Sequence, residues 1–224
     1  MIDLERDGAV FVLRMRNGEN RFNQSSLAEL NRALDEVEAS EGEAALVVTG
    51  EGKFFSNGLD LAWMAGAGRE AVEQTINDVH RLLARVLVFP MVTVVAINGH
   101  AFAAGAMLAL AFDFRVMRSD RGYVCLPEVD LGMKQPLSPG MTALLQARVT
   151  PPVLAEALVT GRRYTAAEAV ERSLVHESAA EQQVVPRAIE IAREMAGKDR
   201  ETVGAIKRGL FATTVAVLET PYTL

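Results

Sequence analysis

Two short turns of small residues lie where the chain is predicted to pass from a strand into a helix. They are residues 56–59 (SNGL) and residues 103–106 (AAGA). The first N–H groups of a helix have no partner within it, and the helix dipole favours negative charge there. Two such turns side by side could direct two N–H groups at one oxygen atom. The spacing alone is also met by tight turns with close backbone packing, and it favours that simpler interpretation.

One carboxylate, Glu128, follows a short predicted strand and has the apolar or non-polar neighbours Leu126, Pro127 and Val129. If Glu128 were buried among them, its pKa would rise toward neutral pH, as a group that takes and returns a proton requires. A surface glutamate after a strand fits the same residues. Asp130 is an alternative candidate for the group that transfers the proton, because it would share a face with Glu128 in an extended chain.

The remaining polar candidates give weaker indications. Three histidines and the single cysteine, Cys125, have no metal-ligand spacing, so we expect no metal site. His80 falls on the polar face of a predicted helix and is expected to be exposed. His100, next to the second turn, is expected to pack or to hydrogen bond, and His176 gives no indication. Asp113 is expected to be structural.

The composition indicates a globular protein of 224 residues, half of them apolar, with a formal net charge of −6. That charge disfavours binding to nucleic acid and to anionic membranes. No apolar run is long enough to span a bilayer, and the first residues, charged with both signs, lack a hydrophobic signal core. We therefore expect a cytoplasmic protein that does not associate with membranes.

Hydrophobic patterns predict strands alternating with helices, followed mostly by helices, which is typical of an α/β fold with a helical tail. Ser26 and Glu29 form a capping-box pattern before a helix, and Asp60 is expected to cap a short helix at 60–65. Predicted strands are residues 10–15, 45–49, 91–97, 112–117 and 123–126; further predicted helices are 72–89, 101–111, 138–149, 152–159, 165–171, 184–196 and 201–218. The polar segment 177–183 is expected to be a hinge between a core, 1–176, and a C-terminal helical region, 177–224.

Three segments together resemble the crotonase (enoyl-CoA hydratase/isomerase) superfamily: 54–61 (FFSNGLDL), 96–105 (AINGHAFAAG) and 127–132 (PEVDLG). They occur in the order of the family and at roughly its spacing, and the resemblance covers nearly the whole chain. Residues 52–58, 117–122 and 128–132 are similar to plant-type Δ3,Δ2-enoyl-CoA isomerases. The resemblance implies a spiral of ββα units, a C-terminal helical region that forms trimers, and a homotrimer or a dimer of trimers.

The resemblance also implies functional residues. Leu59 and Ala104 match the residues whose N–H groups form the oxyanion hole for an acyl-CoA thioester, and Glu128 matches an acid/base glutamate. The implied substrate-binding residues are Lys53, Phe55, Ser56, Asn57, Gly58, Asp60, Leu61, Ala103 and Gly105. Lys53 could meet a phosphate of CoA, although a solvated lysine fits equally well. No cofactor is implied, since CoA is part of the substrate. Trp63, Met64 and Phe102 are candidates for an acyl pocket or for the core.

One departure from the family pattern limits the reactions that the protein is expected to catalyse. Hydratases of this family use two glutamates, and the first of these positions is Met107, which cannot transfer a proton. A single carboxylate is better suited to shift a double bond, because it can remove the α-proton of a 3-enoyl thioester and return it at C4. We therefore expect a Δ3,Δ2-enoyl-CoA isomerase. The alternatives are another reaction of the family, such as hydration or thioester hydrolysis, and a non-catalytic CoA-binding or scaffold protein.

Overall fold

The structure, a computed structural model, describes residues 1–132 and 137–224. The strands in these residues are β1 (Ile2–Asp7), β2 (Val10–Met15), β3 (Ala45–Gly50), β4 (Phe54–Ser56), β5 (Val92–Ile97), β6 (His100–Phe102), β7 (Phe114–Arg118), β8 (Val124–Cys125), β9 (Arg163–Tyr164) and β10 (Glu177–Ala179). The helices are α1 (Gln24–Glu38), α2 (Leu61–Gly66), α3 (Arg69–Leu87), α4 (Ala104–Ala111), α5 (Pro139–Arg148), α6 (Pro151–Thr160), α7 (Ala166–Glu171), α8 (Val184–Met195) and α9 (Arg200–Glu219), with a 3-10 turn at Glu128–Leu131.

The strands form two sheets that the chain visits alternately. The larger sheet has the order β1-β2-β3-β5-β7-β10, and the smaller has the order β4-β6-β8-β9. Each of β3, β5 and β7 is followed by one strand of the smaller sheet and then by helix. This repetition confirms the predicted spiral of ββα units and the α/β class.

The larger sheet is covered on both faces, since every residue of its central strands β3 and β5 is buried and most of them are apolar. In β3, Leu46 and Val48 belong to the main core, which also includes residues of α1, α3 and α4. Ala45 and Val47 belong to a second core, which includes Val184 and other residues of α8. Successive side chains of a strand point to opposite faces, so an uninterrupted apolar run is what two covered faces require. The strands predicted at 10–15, 45–49 and 91–97 are confirmed.

The prediction of a hinge at 177–183 is wrong for its first three residues. Residues Glu177–Ala179 form β10, which pairs in parallel with β7 at the edge of the larger sheet. The following α8 packs on β2, β3, β5 and β7 of that sheet. Three residues of mixed polarity carry too little periodicity to reveal an edge strand. The division into 1–176 and 177–224 stays a prediction.

Other boundaries differ from the predictions for local reasons. The helix expected over 101–111 begins at Ala104, because Ala101 and its neighbours form β6 in the smaller sheet. Helix α1 is capped by Asn23, which forms the capping box with Ser26, so the predicted box of Ser26 and Glu29 is shifted by one helical turn. Asp60 caps α2 as predicted, accepting a hydrogen bond from the Trp63 amide at 3.1 Å.

The C-terminal α9 is joined to the sheet by a buried ion pair. Lys207 is 6% exposed, and its ammonium group contacts the Asp113 carboxylate and donates to the Met91 carbonyl at 2.7 Å. Asp113 also accepts from the Thr93 amide at 2.8 Å, which confirms the structural role expected for it. Among the helices of residues 1–132 and 137–224, none is long and apolar enough to cross a lipid bilayer.

Candidate active site

The three segments that carry the resemblance meet because each contains or follows a strand of the smaller sheet. Strands β4, β6 and β8 are parallel neighbours, so their carboxyl ends lie at one edge of that sheet. Leu59 follows β4, Ala104 follows β6, and Glu128 follows β8. All three line one cavity of about 280 Å³.

The first two segments touch through Gly58. Gly58 has φ +73°, and a Cβ placed on it would lie 2.9 Å from the Ala104 amide nitrogen and 3.0 Å from the Phe102 carbonyl oxygen. A side chain would therefore be strained by its conformation and would collide with the other segment. Gly58 allows the amide groups of Leu59 and Ala104 to lie near each other.

The N–H groups of both residues are available to donate a hydrogen bond. Among the described residues, none accepts a hydrogen bond from the N–H of Leu59 or of Ala104, whereas the neighbouring Asp60 amide donates to the Phe22 carbonyl at 2.9 Å. Ala104 is the first residue of α4, where an N–H has no partner within the helix. Two such donors, in residues that line one cavity, are suited to an oxygen atom that gains negative charge.

The second turn holds a strained residue. Ala103, which precedes α4, has φ 51° and ψ −128°, a conformation that favours glycine. Gly105 packs against β4, since a Cβ on it would lie 2.4 Å from the Ser56 carbonyl oxygen. The strain is therefore borne by Ala103, and Ala104 keeps a helical conformation with its N–H available.

Glu128 begins the 3-10 turn and is 5% exposed. Burial raises the pKa of its carboxyl group from an ordinary 4.5 to about 7. Its Oε2 atom is buried and has no hydrogen-bond partner among the described residues. A backbone hydrogen bond lowers the pKa by less than burial raises it. A buried carboxyl group with one free oxygen and a pKa near 7 can both take up and release a proton at physiological pH.

Asp130 is placed differently from the expectation. The chain does not stay extended after β8 but coils into the 3-10 turn, so residues two apart no longer share a face. Asp130 is exposed and does not line the cavity, whereas Glu128 does.

The predicted substrate-binding residues divide into two groups. Asn57, Leu61 and Ala103 line the cavity, as Leu59 and Ala104 do. Phe55 and Ser56 are fully buried in the framework, where the Ser56 hydroxyl donates to the Asn20 carbonyl at 2.7 Å and accepts from the Gly58 amide. Gly58, Asp60 and Gly105 shape the turns, as described above. Contacts of both groups with substrate stay a prediction.

A polar edge of the cavity is formed by Arg21 and Asn57. The Glu19 carboxylate accepts hydrogen bonds from the side-chain amide of Asn57 at 2.9 Å and from the Arg21 guanidinium at 2.6 Å. These bonds, the one from Asn57 first, hold the pKa of Glu19 below its usual value. Lys53 is exposed, lies 5.4 Å from the centre of the Phe54 ring, and is not part of the cavity wall. Its contact with a CoA phosphate stays a prediction.

The rest of the cavity wall is largely apolar, as an acyl chain requires. Met107 is 1% exposed and lies in this wall, so no carboxylate occupies that position. Met64 and Phe102 line the cavity, and Trp63 does not. Several further wall residues were not predicted as part of the site, and these are Ile76, Ser138, Met141, Tyr222 and Leu224.

The C-terminal residues that line the cavity are held by α3. Asn77 donates to the Tyr222 carbonyl at 2.9 Å and accepts from the Tyr222 amide at 2.8 Å. The Leu224 amide donates to Glu73 at 2.9 Å. These contacts join residues about 145 positions apart, which explains why local patterns could not predict them.

His80 contradicts the expectation that it is exposed. It is 1% exposed, and its Nε2 lies 2.6 Å from the Ser138 hydroxyl oxygen in the cavity wall. Burial, and to a smaller extent the charge of Arg81, lower the pKa of His80 to about 4, so the imidazole is neutral at pH 7. The polar face of α3 is covered here by α5, which a pattern within one helix cannot reveal.

Comparisons with known proteins agree with this architecture. The sequence profile of the family described as enoyl-CoA hydratase/isomerase matches residues 5–223. Peroxisomal enoyl-CoA delta isomerase 2 of Arabidopsis thaliana is 33% identical over 230 aligned positions, which cover 97% of this chain and 95% of that protein. A putative enoyl-CoA hydratase of Thermus thermophilus is also 33% identical, over 100% of this chain and 88% of that protein.

A solved structure of a similar protein has the same fold. The probable enoyl-CoA hydratase EchA3 of Mycobacterium tuberculosis is 26% identical and matches with a TM-score of 0.91, covering 98% of this chain and 92% of that one. With the ββα spiral and the site at the edge of its smaller sheet, these matches show that the chain is an enzyme of the enoyl-CoA hydratase/isomerase family, the crotonase family.

Proposed function

We propose that the protein is a Δ3,Δ2-enoyl-CoA isomerase with Glu128 as its acid/base group. The Glu128 carboxylate removes a proton from C2 of a 3-enoyl thioester, and the electrons move onto the thioester oxygen as an enolate. The same carboxyl group then returns the proton at C4, so the double bond shifts to the 2-position. The observation that carries the proposal is one buried carboxylate with a free oxygen, in the same cavity wall as two amide donors without acceptors among the described residues and as Met107.

The two amide donors supply the charge stabilisation that this route needs. The thioester oxygen gains negative charge as C2 loses its proton, and the N–H groups of Leu59 and Ala104 are already oriented by their turns. One such donor typically contributes about 3 kcal/mol to transition-state stabilisation. The pair forms the oxyanion hole in this proposal.

The pKa of Glu128 suits a group that must hold a proton midway through the reaction. With a pKa of about 7, the carboxyl group is about half ionised at neutral pH. It is therefore available as a base, and its conjugate acid is strong enough to protonate the enolate at C4. An ordinary exposed glutamate would be a weaker base.

The experiment is the conversion of 3-hexenoyl-CoA to 2-hexenoyl-CoA by the wild type and by Glu128→Gln. We expect the variant to lose about 100- to 10,000-fold in kcat, the usual contribution of a general acid/base, while binding of a saturated acyl-CoA is retained. Glu36→Gln, at an exposed position of α1, is the matched control and keeps full activity. If Glu128→Gln turned over substrate within about threefold of the wild-type rate, the assignment of the base would be wrong.

Two further features of the proposal concern the whole protein. Assembly as a homotrimer or a dimer of trimers is supported by the exposed apolar residues Ile206 and Leu210 on α9, which are 57% and 72% exposed. Sedimentation equilibrium tests it, and a monomer at micromolar concentration would contradict it. The cytoplasmic location stays a prediction, which imaging of the tagged protein would check.

A further inference from the structure

Ser138 and His80 form a polar pair in the wall of an otherwise largely apolar cavity. Ser138 is 5% exposed and caps α5, and its hydroxyl oxygen accepts from the Met141 amide at 3.2 Å. The same oxygen lies 2.6 Å from His80 Nε2. The other ring nitrogen, His80 Nδ1, is buried and has no partner among the described residues.

The available hydrogen-bond partners indicate which ring nitrogen of His80 carries the proton. Neutral imidazole carries one N–H, which is either on Nδ1 or on Nε2. An N–H on Nδ1 would be buried without an acceptor, and orphaned buried N–H groups are rarer than orphaned acceptors. This comparison favours the tautomer with its proton on Nε2, which is then donated to Ser138. The Ser138 oxygen then accepts two hydrogen bonds, and its own proton is left for a group in the cavity.

The cavity also contains an acceptor without a partner. Glu128 Oε2 is buried and unpaired among the described residues, and Glu128 lines the same cavity as Ser138. No hydrogen bond joins Glu128 to Ser138 within the part of the chain that the structure describes. A small molecule with both an acceptor and a donor, such as water, can accept from the Ser138 hydroxyl and donate to Glu128.

We infer that Ser138, oriented by His80, and Glu128 hold a water molecule that the enzyme adds to its own 2-enoyl-CoA product. The water oxygen forms a bond to C3 while the C2–C3 π electrons move onto the thioester oxygen. Glu128 takes one proton of the water and returns it to C2, so the product is a 3-hydroxyacyl-CoA and no other reactant is needed. The pair thus replaces the water-holding role that Met107 cannot perform.

This inference rests on the proposed acyl-CoA site but not on the double-bond shift itself. The thioester oxygen is held by the same two amide groups in both reactions, and Glu128 moves the proton in both. Only hydration needs a second polar group to hold water near Glu128. Removal of the Ser138 hydroxyl should therefore affect hydration more than isomerisation.

The test measures both reactions with each purified variant. Hydration is followed with 2-hexenoyl-CoA as a mass gain of one water, and isomerisation is followed with 3-hexenoyl-CoA. Ser138→Gly removes the hydroxyl, yet glycine is a tolerated helix cap that costs only a few tenths of a kcal/mol. Asp199→Gly is the matched control, because Asp199 caps α9, accepting from the Thr202 amide at 2.8 Å, and does not line the cavity.

We expect wild-type hydration to be measurable and slower than isomerisation. In Ser138→Gly, the ratio of hydration to isomerisation should fall by at least about tenfold, a typical effect of one lost hydrogen bond. Asp199→Gly should leave that ratio unchanged, and Ser138→Thr, which keeps a hydroxyl and a cap, should restore most of it. A loss of folded protein would lower both rates together and so would not change the ratio.

An unchanged ratio in Ser138→Gly would overturn the inference, and so would wild-type hydration no faster than that of Glu128→Gln. Either result would leave the isomerase proposal standing. The converse result is also distinguishable: hydration that depends on Ser138, without detectable isomerisation, would refute the proposed function and support the water site.

Discussion

Replacing Glu128 by glutamine should make the protein more stable at alkaline pH while it removes most of the activity. The Glu128 carboxyl group is 5% exposed, and burial raises its pKa from 4.5 to about 7. The folded state therefore binds this proton more tightly than the unfolded state does. As pH rises from about 4.5 to about 7, ionisation stabilises the unfolded state more, and the free energy of unfolding falls.

The size of this effect follows from the two pKa values. A difference of about 2.5 pKa units corresponds to about 3 kcal/mol, since each unit is worth about 1.4 kcal/mol. This penalty is fully present above pH 7 and absent below about pH 4.5. A glutamine cannot ionise, so the gain in stability from Glu128→Gln should be about 3 kcal/mol larger at about pH 8 than at about pH 4.

Urea unfolding of both proteins, followed by circular dichroism at the two pH values, measures the effect directly. The control is Glu36→Gln, because this exposed carboxylate stays in water in both states and should give the same difference at both pH values within about 0.5 kcal/mol. A Glu128→Gln difference that changes by less than about 0.5 kcal/mol between the two pH values would refute a buried, unpaired carboxylate.

Two further substitutions test the framework of the site. Gly58→Ala should lower kcat/KM for isomerisation by about 100- to 1,000-fold, because the new methyl group displaces the Ala104 amide, whereas Gly52→Ala, with a similar φ of +72° and open space around it, should keep near wild-type activity; equal losses in both would show that backbone strain alone is responsible. Lys207→Met should lower the free energy of unfolding by about 3 kcal/mol, because it leaves the Asp113 carboxylate without its cation. A loss below about 1 kcal/mol in urea unfolding would contradict the role given to that ion pair.

The sequence predicted the fold well wherever periodicity is strong. Strand β5 and helix α3 lie close to their predicted bounds, because a continuous apolar run and a long amphipathic pattern leave little choice. The edge strand β1, whose second half is exposed, was missed, and so were the short strands β4, β6, β9 and β10. Two or three residues carry no periodicity, and their pairing depends on partners far along the chain.

The site likewise contains residues that the sequence predicted and contacts that it could not predict. Leu59, Ala104 and Glu128 came from motifs, and the topology of β4, β6 and β8 explains why they meet. The contact between His80 and Ser138 could not be predicted, because it joins positions 58 residues apart and depends on how α5 packs against α3. Their residue types are ordinary for a helix surface and a helix cap.

The most direct test of the account is to follow the proton itself. A 3-enoyl-CoA carrying deuterium at C2 is converted in a single turnover in ordinary water with enzyme in excess, and the deuterium at C4 of the product is measured by mass spectrometry. Since one nearly buried carboxyl group takes the label and returns it, we expect deuterium at C4. A product whose C4 hydrogen comes only from solvent would contradict a proton shuttle by Glu128 alone.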